Sequence, residues 1–309
     1  MVFHFLDTGH ALRSQGERFP LCGRFDHPPK MDDAVCDHHI HEVCAQANVP
    51  ELRHHVVPNP YLALRDIMPE RTLGREYAGG LIGYVGYDAV PYFEPSLTVK
   101  QSELFEQFLF GVYTDGVILD KETNELSYFY YDTDRSAVLR ELMQSESAPR
   151  PLTVTFVRDT LSKEEHARAV EEVKERIRAG DTFQCEVGFR SEYTVQGDTL
   201  TVYEKLRTVN PSPFMYYLKF GDTKVIGASP ELLFSLRDGE MTTRPLAGTI
   251  RRGTDEQEDR QLARTLLNDP KEKAEHNMLV DLHRNDIGKV AEAWNELLSR
   301  SALWQVEQA

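Results

Sequence analysis

Residues Lys224 to Gly253 read KVIGASPELLFSLRDGEMTTRPLAGTIRRG. Within them, Leu232, Phe234 and Leu236 alternate with Glu231, Leu233 and Ser235. That period belongs to a strand with one face toward a core. Asp238-Gly239 follows, the dipeptide that best tolerates positive φ in a two-residue hairpin turn. A return strand through Met241 to Pro245 would pair Glu231 with Leu246 if the turn centres on Asp238-Gly239. Strict alternation sets Ala247 and Thr249 on the face opposite Glu231. They share a pocket with it only if the strand bulges or ends near Pro245.

On the C-terminal side, Thr254 and Gln257 form a capping box, with Leu262, Leu266 and Leu267 pointing inward. Asp269 caps a further helix, with Pro270 at its first position and Glu272 at its third. Glu272 and Glu275 are three apart and share one helix face. Two carboxylates so placed suit Mg2+, a hard cation that takes oxygen ligands and keeps several waters. Spacing alone favours the plainer reading of a solvated acidic face.

On the N-terminal side, Ser162 and Glu165 make a capping box. Ala169, Val170, Val173 and Ile177 continue as an apolar stripe that ends at Gly180. A short helix around Tyr203 and Leu206 leads into Asn210-Pro-Ser-Pro-Phe-Met215, where two prolines enforce an extended turn. Residues Phe108 to Tyr131 hold two apolar runs separated by Asp120-Lys-Glu-Thr-Asn124, a second hairpin with a longer loop. GGLIGYVGYDAV, from Gly79, reads as a buried strand between glycine turns, its glycines marking close backbone packing in preference to a ligand approach. Thr133 to Pro151 reads as a helix and linker. Hairpins alternating with capped helices predict an α+β fold with large, mainly antiparallel sheets.

At 309 residues the chain is long enough for one or two domains. Its 40% hydrophobic and 28% charged residues are those of a soluble globular protein. A formal net charge of −15 argues against a nucleic-acid binder and fits a solvated acidic surface. No stretch is apolar and long enough to span a bilayer, and no secretory signal is read at the N-terminus. Four cysteines make no disulfide scaffold, and a reducing cytoplasm is expected. Cys22, Cys36, His38, His39, His41, Cys44, His54 and His55 invite a zinc reading. Their spacing lacks the paired C-x2-4-C and H-x3-5-H arrangement and does not support it.

GASPELL, RPLAGT, DPKEKAEHNMLVDLHRNDIGKV, GGLIGYVGYDAV, AGDTFQCEVGFR and NPSPFMYYLKFGD together resemble the chorismate-utilising enzymes. The likeness runs from about Pro58 to Val290 and is greatest to the large, synthase components of anthranilate synthases. It divides the chain into an atypical N-terminal segment (1–57), the N-terminal part of the synthase component (58–150), the N-terminal portion of the chorismate-binding domain (151–291) and an unmatched tail (292–309). The family fold is a two-layer α/β sandwich, and this chain is expected to carry an incomplete version of it. The family's later motifs, including a second group of metal-binding glutamates, are not found here.

The resemblance implies roles for particular residues. Glu231, in GASPE, is the candidate acid that protonates the departing C4 hydroxyl of chorismate, which requires its pKa to be raised by burial. Glu275, in the Ala-Glu-His triplet, would bind the Mg2+ that holds the ring carboxylate, with Glu272 as an outer or second ligand. Gly248 and Thr249 would contact substrate. Gln184 stands where water-adding relatives carry a lysine base, and Ala247 where 4-amino-4-deoxychorismate synthases carry a lysine nucleophile. By itself, Gln184 also reads as a hydrogen-bonding strand residue. Together the two positions point to ammonia as nucleophile, supplied by a glutamine amidotransferase subunit (component II). Pro213, Phe214 and Met215 would line half of a pocket for tryptophan as feedback inhibitor, and they read equally as an apolar turn packed on the core. The other half, a Leu-Leu-Glu-Ser segment, is not found here. The alternatives are one half of a split enzyme, completed by a separate polypeptide carrying the missing C-terminal part, an inactive truncated remnant, or a 4-amino-4-deoxychorismate synthase, which Ala247 disfavours.

Overall fold

The computed structural model describes residues 77–291 apart from 101, 103, 132 and 145–150. It also describes the backbone of β1 (Val2–His4), β2 (Glu17–Gly23), β3 (His38–Gln46) and β4 (Val49–Val57). The chain divides into two compact units. The first comprises residues 1–146 and 216–226, and the second 147–215 and 227–309.

In the first unit, the apolar run from Phe108 breaks at Thr114. It yields β6 (Phe108–Tyr113) and β7 (Asp115–Asp120) rather than one strand. The two halves join different sheets. β6 lies between β2 and β5 (Gly80–Val85) in an antiparallel sheet of order β4-β3-β2-β6-β5. β7 lies between β1 and β8 (Glu125–Tyr130). The β7–β8 hairpin is the one expected, with Asp120 opposite Glu125. Asp120 Oδ1 accepts the Glu122 and Thr123 amides at 2.9 and 3.1 Å, which winds the four-residue loop.

Glycine at Gly83 is required by close packing. A Cβ there would lie 1.9 Å from the Leu109 carbonyl oxygen on β6, so the packing reading of GGLIGYVGYDAV holds at Gly83, whereas a Cβ at Gly80 would meet nothing within 4 Å. Ala78, Ile118 and Phe129 form a small core, sealed by Tyr131, whose hydroxyl donates to the Ala78 carbonyl at 2.6 Å. Asp115 is buried and fully paired. Arg135 donates to both its oxygens and the Tyr128 hydroxyl donates at 3.0 Å. Unpaired, that carboxylate would cost several kcal/mol, on the order of a broken buried ion pair. Burial pushes the Tyr128 phenol above its ordinary pKa.

The segment read as atypical, 1–57, supplies β1 to β4. Its register sets Cys22 opposite His41 and His41 opposite His54. The side chains of the zinc reading lie outside the described residues. Part of the linker, 145–150, also does so, and α1 (Ser136–Gln144) is the helix expected just before it.

In the second unit the helices follow their caps. α2 (Lys163–Ala179) opens on the Ser162–Glu165 capping box and closes on Gly180 at φ +83°. His166 on this helix holds the coil that follows. Its Nε2 lies 3.0 Å from the Val187 carbonyl, so Nε2 carries the proton. α3 (Leu200–Val209) carries Tyr203, the one buried hydrophobic among the described residues of this unit. α4 (Glu256–Asn268) starts one residue later than expected. Asp255, not Thr254, caps it, accepting the Glu258 amide at 2.8 Å. Thr254 is spent on Glu258, whose carboxylate takes both its hydroxyl and its amide.

The remaining strands pair as two-stranded ribbons, and residues 216–226, which make up most of the second ribbon, belong to the first unit. The ribbons are β9 (Thr153–Asp159) with β10 (Ser191–Gln196), β11 (Phe214–Phe220) with β12 (Thr223–Ser229), and β13 (Leu232–Arg237) with β14 (Glu240–Arg244). The large sheets expected of the fold therefore appear, among the described residues, only in the first unit. The strand face expected to point inward from β13 is open instead, with Leu236 60% and Phe234 56% exposed.

Two exposed clasps tie the second unit's surface. Glu192 accepts from Arg158 at 2.7 Å and from Arg190 at 2.8 Å, and these bonds hold its pKa down at about 2. Glu258, held first by Thr254 and then by Arg251, is likewise near 2. Both folded pKa values lie below the ordinary 4.5. The clasps therefore contribute fully above pH 4.5, and that contribution is lost as pH falls toward 2. Carboxyl NMR titration should place both midpoints near 2, and Arg158→Ala should return Glu192 toward 4.5. A Glu192 midpoint that stays put in that variant would refute the assignment.

Candidate active site

The hairpin β13–β14 turns on Asp238 (φ +50°) and Gly239 (φ +80°), as the dipeptide predicts. Arg237 pairs with Glu240 and Ser235 with Thr242, but Leu232 then pairs with Arg244. Leu233 and Phe234 thus oppose the single residue Thr243, a bulge that shifts the register by one. β14 ends at Arg244, before Pro245. These are the two conditions under which Glu231 and the segment after Pro245 can face one site. Glu231 Oε1 accepts the Leu246 amide at 3.1 Å. The carboxylate is thereby fixed beside Leu246-Ala-Gly-Thr249. Glu231 is exposed, and the enclosure expected around it is not supplied by the described residues.

α5 (Pro270–Gly288) is capped by Asp269, which accepts the Lys271 and Glu272 amides at 2.8 and 3.2 Å. Proline at the first position has no amide to leave unpaired. Glu272 is turned onto Gly248, where a Cβ would lie 2.0 Å from its Oε2. Only glycine admits the carboxylate at this distance. Lys271 donates to Glu272 at 3.2 Å, and its pKa is raised by that bond first and by the charge of Glu275 after it. Glu272 and Glu275 are both half-buried. They form a two-carboxylate set at the end of the helix that meets Gly248. No group of three or more metal-ligating side chains is found among the described residues. A pair of hard oxygen donors fits Mg2+, which tolerates a shell completed by water.

The other expected site residues are distributed differently. Ala247 and Gly248 are half-buried and Thr249 exposed. Gln184 lies in coil, not in a strand. Its backbone carbonyl accepts from Thr182 at 2.9 Å, while its exposed side chain has no hydrogen-bond partner among the described residues. Pro213 is exposed, and Phe214 and Met215 open β11 half-buried. The structure adds Thr243 and His283, 2.5 Å apart between Oγ1 and Nδ1. The sequence signal for His283 was its place on the Glu272–Glu275 stripe, three turns along the helix.

The family model described as chorismate binding enzyme matches residues 24–302, and the chain belongs to that family. The match extends past 58–290 at both ends. Over 239 residues the chain is 50% identical to anthranilate synthase component 1 of Leptospira biflexa, covering 76% of this chain and 52% of that protein. It is 41% identical over 235 residues to anthranilate synthase component 1 of Methanothermobacter marburgensis, covering 76% and 50%. The crystal structure of anthranilate synthase component I from Streptococcus pneumoniae TIGR4 matches with a TM-score of 0.67 and 28% identity, over 93% of this chain and 65% of that one. The chain spans about half the length of the curated relatives it matches.

Proposed function

We propose that this chain is the chorismate-binding part of an anthranilate synthase large component. It would act in tryptophan biosynthesis in the cytoplasm, with ammonia from a glutamine amidotransferase subunit. Chorismate and ammonia would give anthranilate, pyruvate and water. The observation that supports this best is the convergence on residues 245–249: the Glu231 carboxylate bonded to the Leu246 amide and the Glu272 carboxylate against Gly248.

Ammonia adds at C2 of the ring as the C4 hydroxyl departs. Hydroxide is a poor leaving group, so Glu231 gives it a proton and water leaves. Loss of the enolpyruvyl side chain as pyruvate then aromatises the ring. Gly248 and Thr249 hold the substrate beside Glu231. Gln184 offers hydrogen bonds but no base for water, and Ala247 offers no amine to attack the ring. Glu275, with Glu272, would hold Mg2+, whose charge when bound offsets that of the ring carboxylate.

The test supplies chorismate, Mg2+ and ammonium salt to the 309-residue chain, alone and with a polypeptide spanning the part of the relatives it does not cover. Anthranilate fluorescence is expected only in the second mixture. Magnesium on one or two carboxylates, and a substrate without its full set of anchors, forfeit much of the orientation term of about 7–11 kcal/mol. Product formed as 4-amino-4-deoxychorismate, or no anthranilate from the supplemented chain, would overturn this reading.

A further inference from the structure

α5 meets the β13–β14 hairpin and its continuation at two places. Glu272 lies against Gly248, and His283 against Thr243. From Glu272 to His283 the helix advances about 16 Å at 1.5 Å per residue. From Thr243 to Gly248 an extended chain covers about 16 Å at 3.3 Å per residue. The spans match with the directions reversed, so the helix lies antiparallel along residues 243–248. Glu275 then falls between the two anchors, on the stretch to which Glu231 is bonded.

The second anchor has a definite proton arrangement. The bulge sets Leu233 opposite Thr243, and the Thr243 hydroxyl donates to the Leu233 carbonyl at 2.8 Å. A hydroxyl has one proton, and here it is spent. The 2.5 Å contact must therefore be donated by the ring, from Nδ1–H of His283. His283 has no other partner among the described residues, which leaves Nε2 as the nitrogen without the proton in the neutral ring.

We infer that His283 is a positioning residue. Locked as the Nδ1–H tautomer by Thr243, it sets the register of α5 on the hairpin. It thereby aims Glu272 and Glu275 at the segment that holds Glu231. The register follows from geometry alone, while its use for Mg2+ rests on the reading given under Proposed function.

The experiment uses the full chain, with 15N NMR of the histidine rings and calorimetric titration with Mg2+. The wild type should show the Nδ1–H form at His283, and Thr243→Val, which removes the hydroxyl but keeps the shape, should release it. Mg2+ affinity should fall about tenfold or more in Thr243→Val and His283→Ala, as is typical when a ligand's supporting partner is lost. His283→Asn, which keeps an N–H near the Nδ1 position, should recover it, and His283→Gln should not. An Nε2–H ring in the wild type, or equal affinity in every variant, overturns the inference. If the wild type binds no Mg2+, the carboxylate reading fails. The amide resonances of Glu272 and Gly248 then decide the register: displaced by Thr243→Val, they support it, and unmoved, they overturn it.

Discussion

Glu231→Gln should cut anthranilate formation by about 10^2–10^4-fold in the chain supplemented with the remaining half of its relatives' length, the range typical of a lost general acid. Glutamine keeps an oxygen that can accept the Leu246 amide, now 3.1 Å from Oε1, so the segment after Pro245 should stay in place. What is lost is the proton. The loss should therefore fall on kcat, with the KM for chorismate little changed. Steady-state kinetics followed by anthranilate fluorescence separates the two. A Glu231→Gln enzyme within threefold of wild type would remove Glu231 from the chemistry.

The second large effect belongs to the carboxylate pair and the glycine beneath it. Glu275→Ala should lower Mg2+ affinity by at least about a hundredfold, above the usual cost of a supporting residue. Gly248→Ala should act on the same site without touching a carboxylate. Its new Cβ would occupy space 2.0 Å from Glu272 Oε2 and drive that group away. If so, the two changes are one event counted twice. The double variant Gly248→Ala/Glu272→Ala should bind Mg2+ no worse than Glu272→Ala alone. Additive losses, measured by calorimetry, would show that Gly248 serves some purpose other than making room for Glu272.

Much of the local structure was legible because its causes are local. Asp238-Gly239 fixed the turn, Ser162 with Glu165 fixed the start of α2, and Asp269-Pro270 fixed that of α5. Each of these signals acts within four residues. The α+β class followed from them. The bulge at Leu233 was readable only as a condition, since its partner is a hydroxyl across the hairpin and, beyond that, a histidine far along the chain. Such a contact leaves no period in the sequence. Thr254 misled for a related reason. It has the chemistry of a cap, but Glu258 captures its hydroxyl, and Asp255 takes the position. The alternation in β13 gave the strand correctly and its environment wrongly. Periodicity reports which side chains share a face, not what covers that face.

The β11–β12 hairpin has a consequence for how the chain comes to be folded. Residues 216–226, at its tip, belong to the first unit, although 147–215 lie between them and the rest of that unit. Phe220 is buried there, and its ring meets Tyr84 of β5 edge-on at 6.3 Å. During synthesis the first unit therefore cannot close when residue 146 leaves the ribosome. It waits, with a place for Phe220 unfilled, until most of the second unit's first half has also emerged. A protease cut between the units in sequence would not separate them as independent pieces, because the early unit would lose a part supplied late.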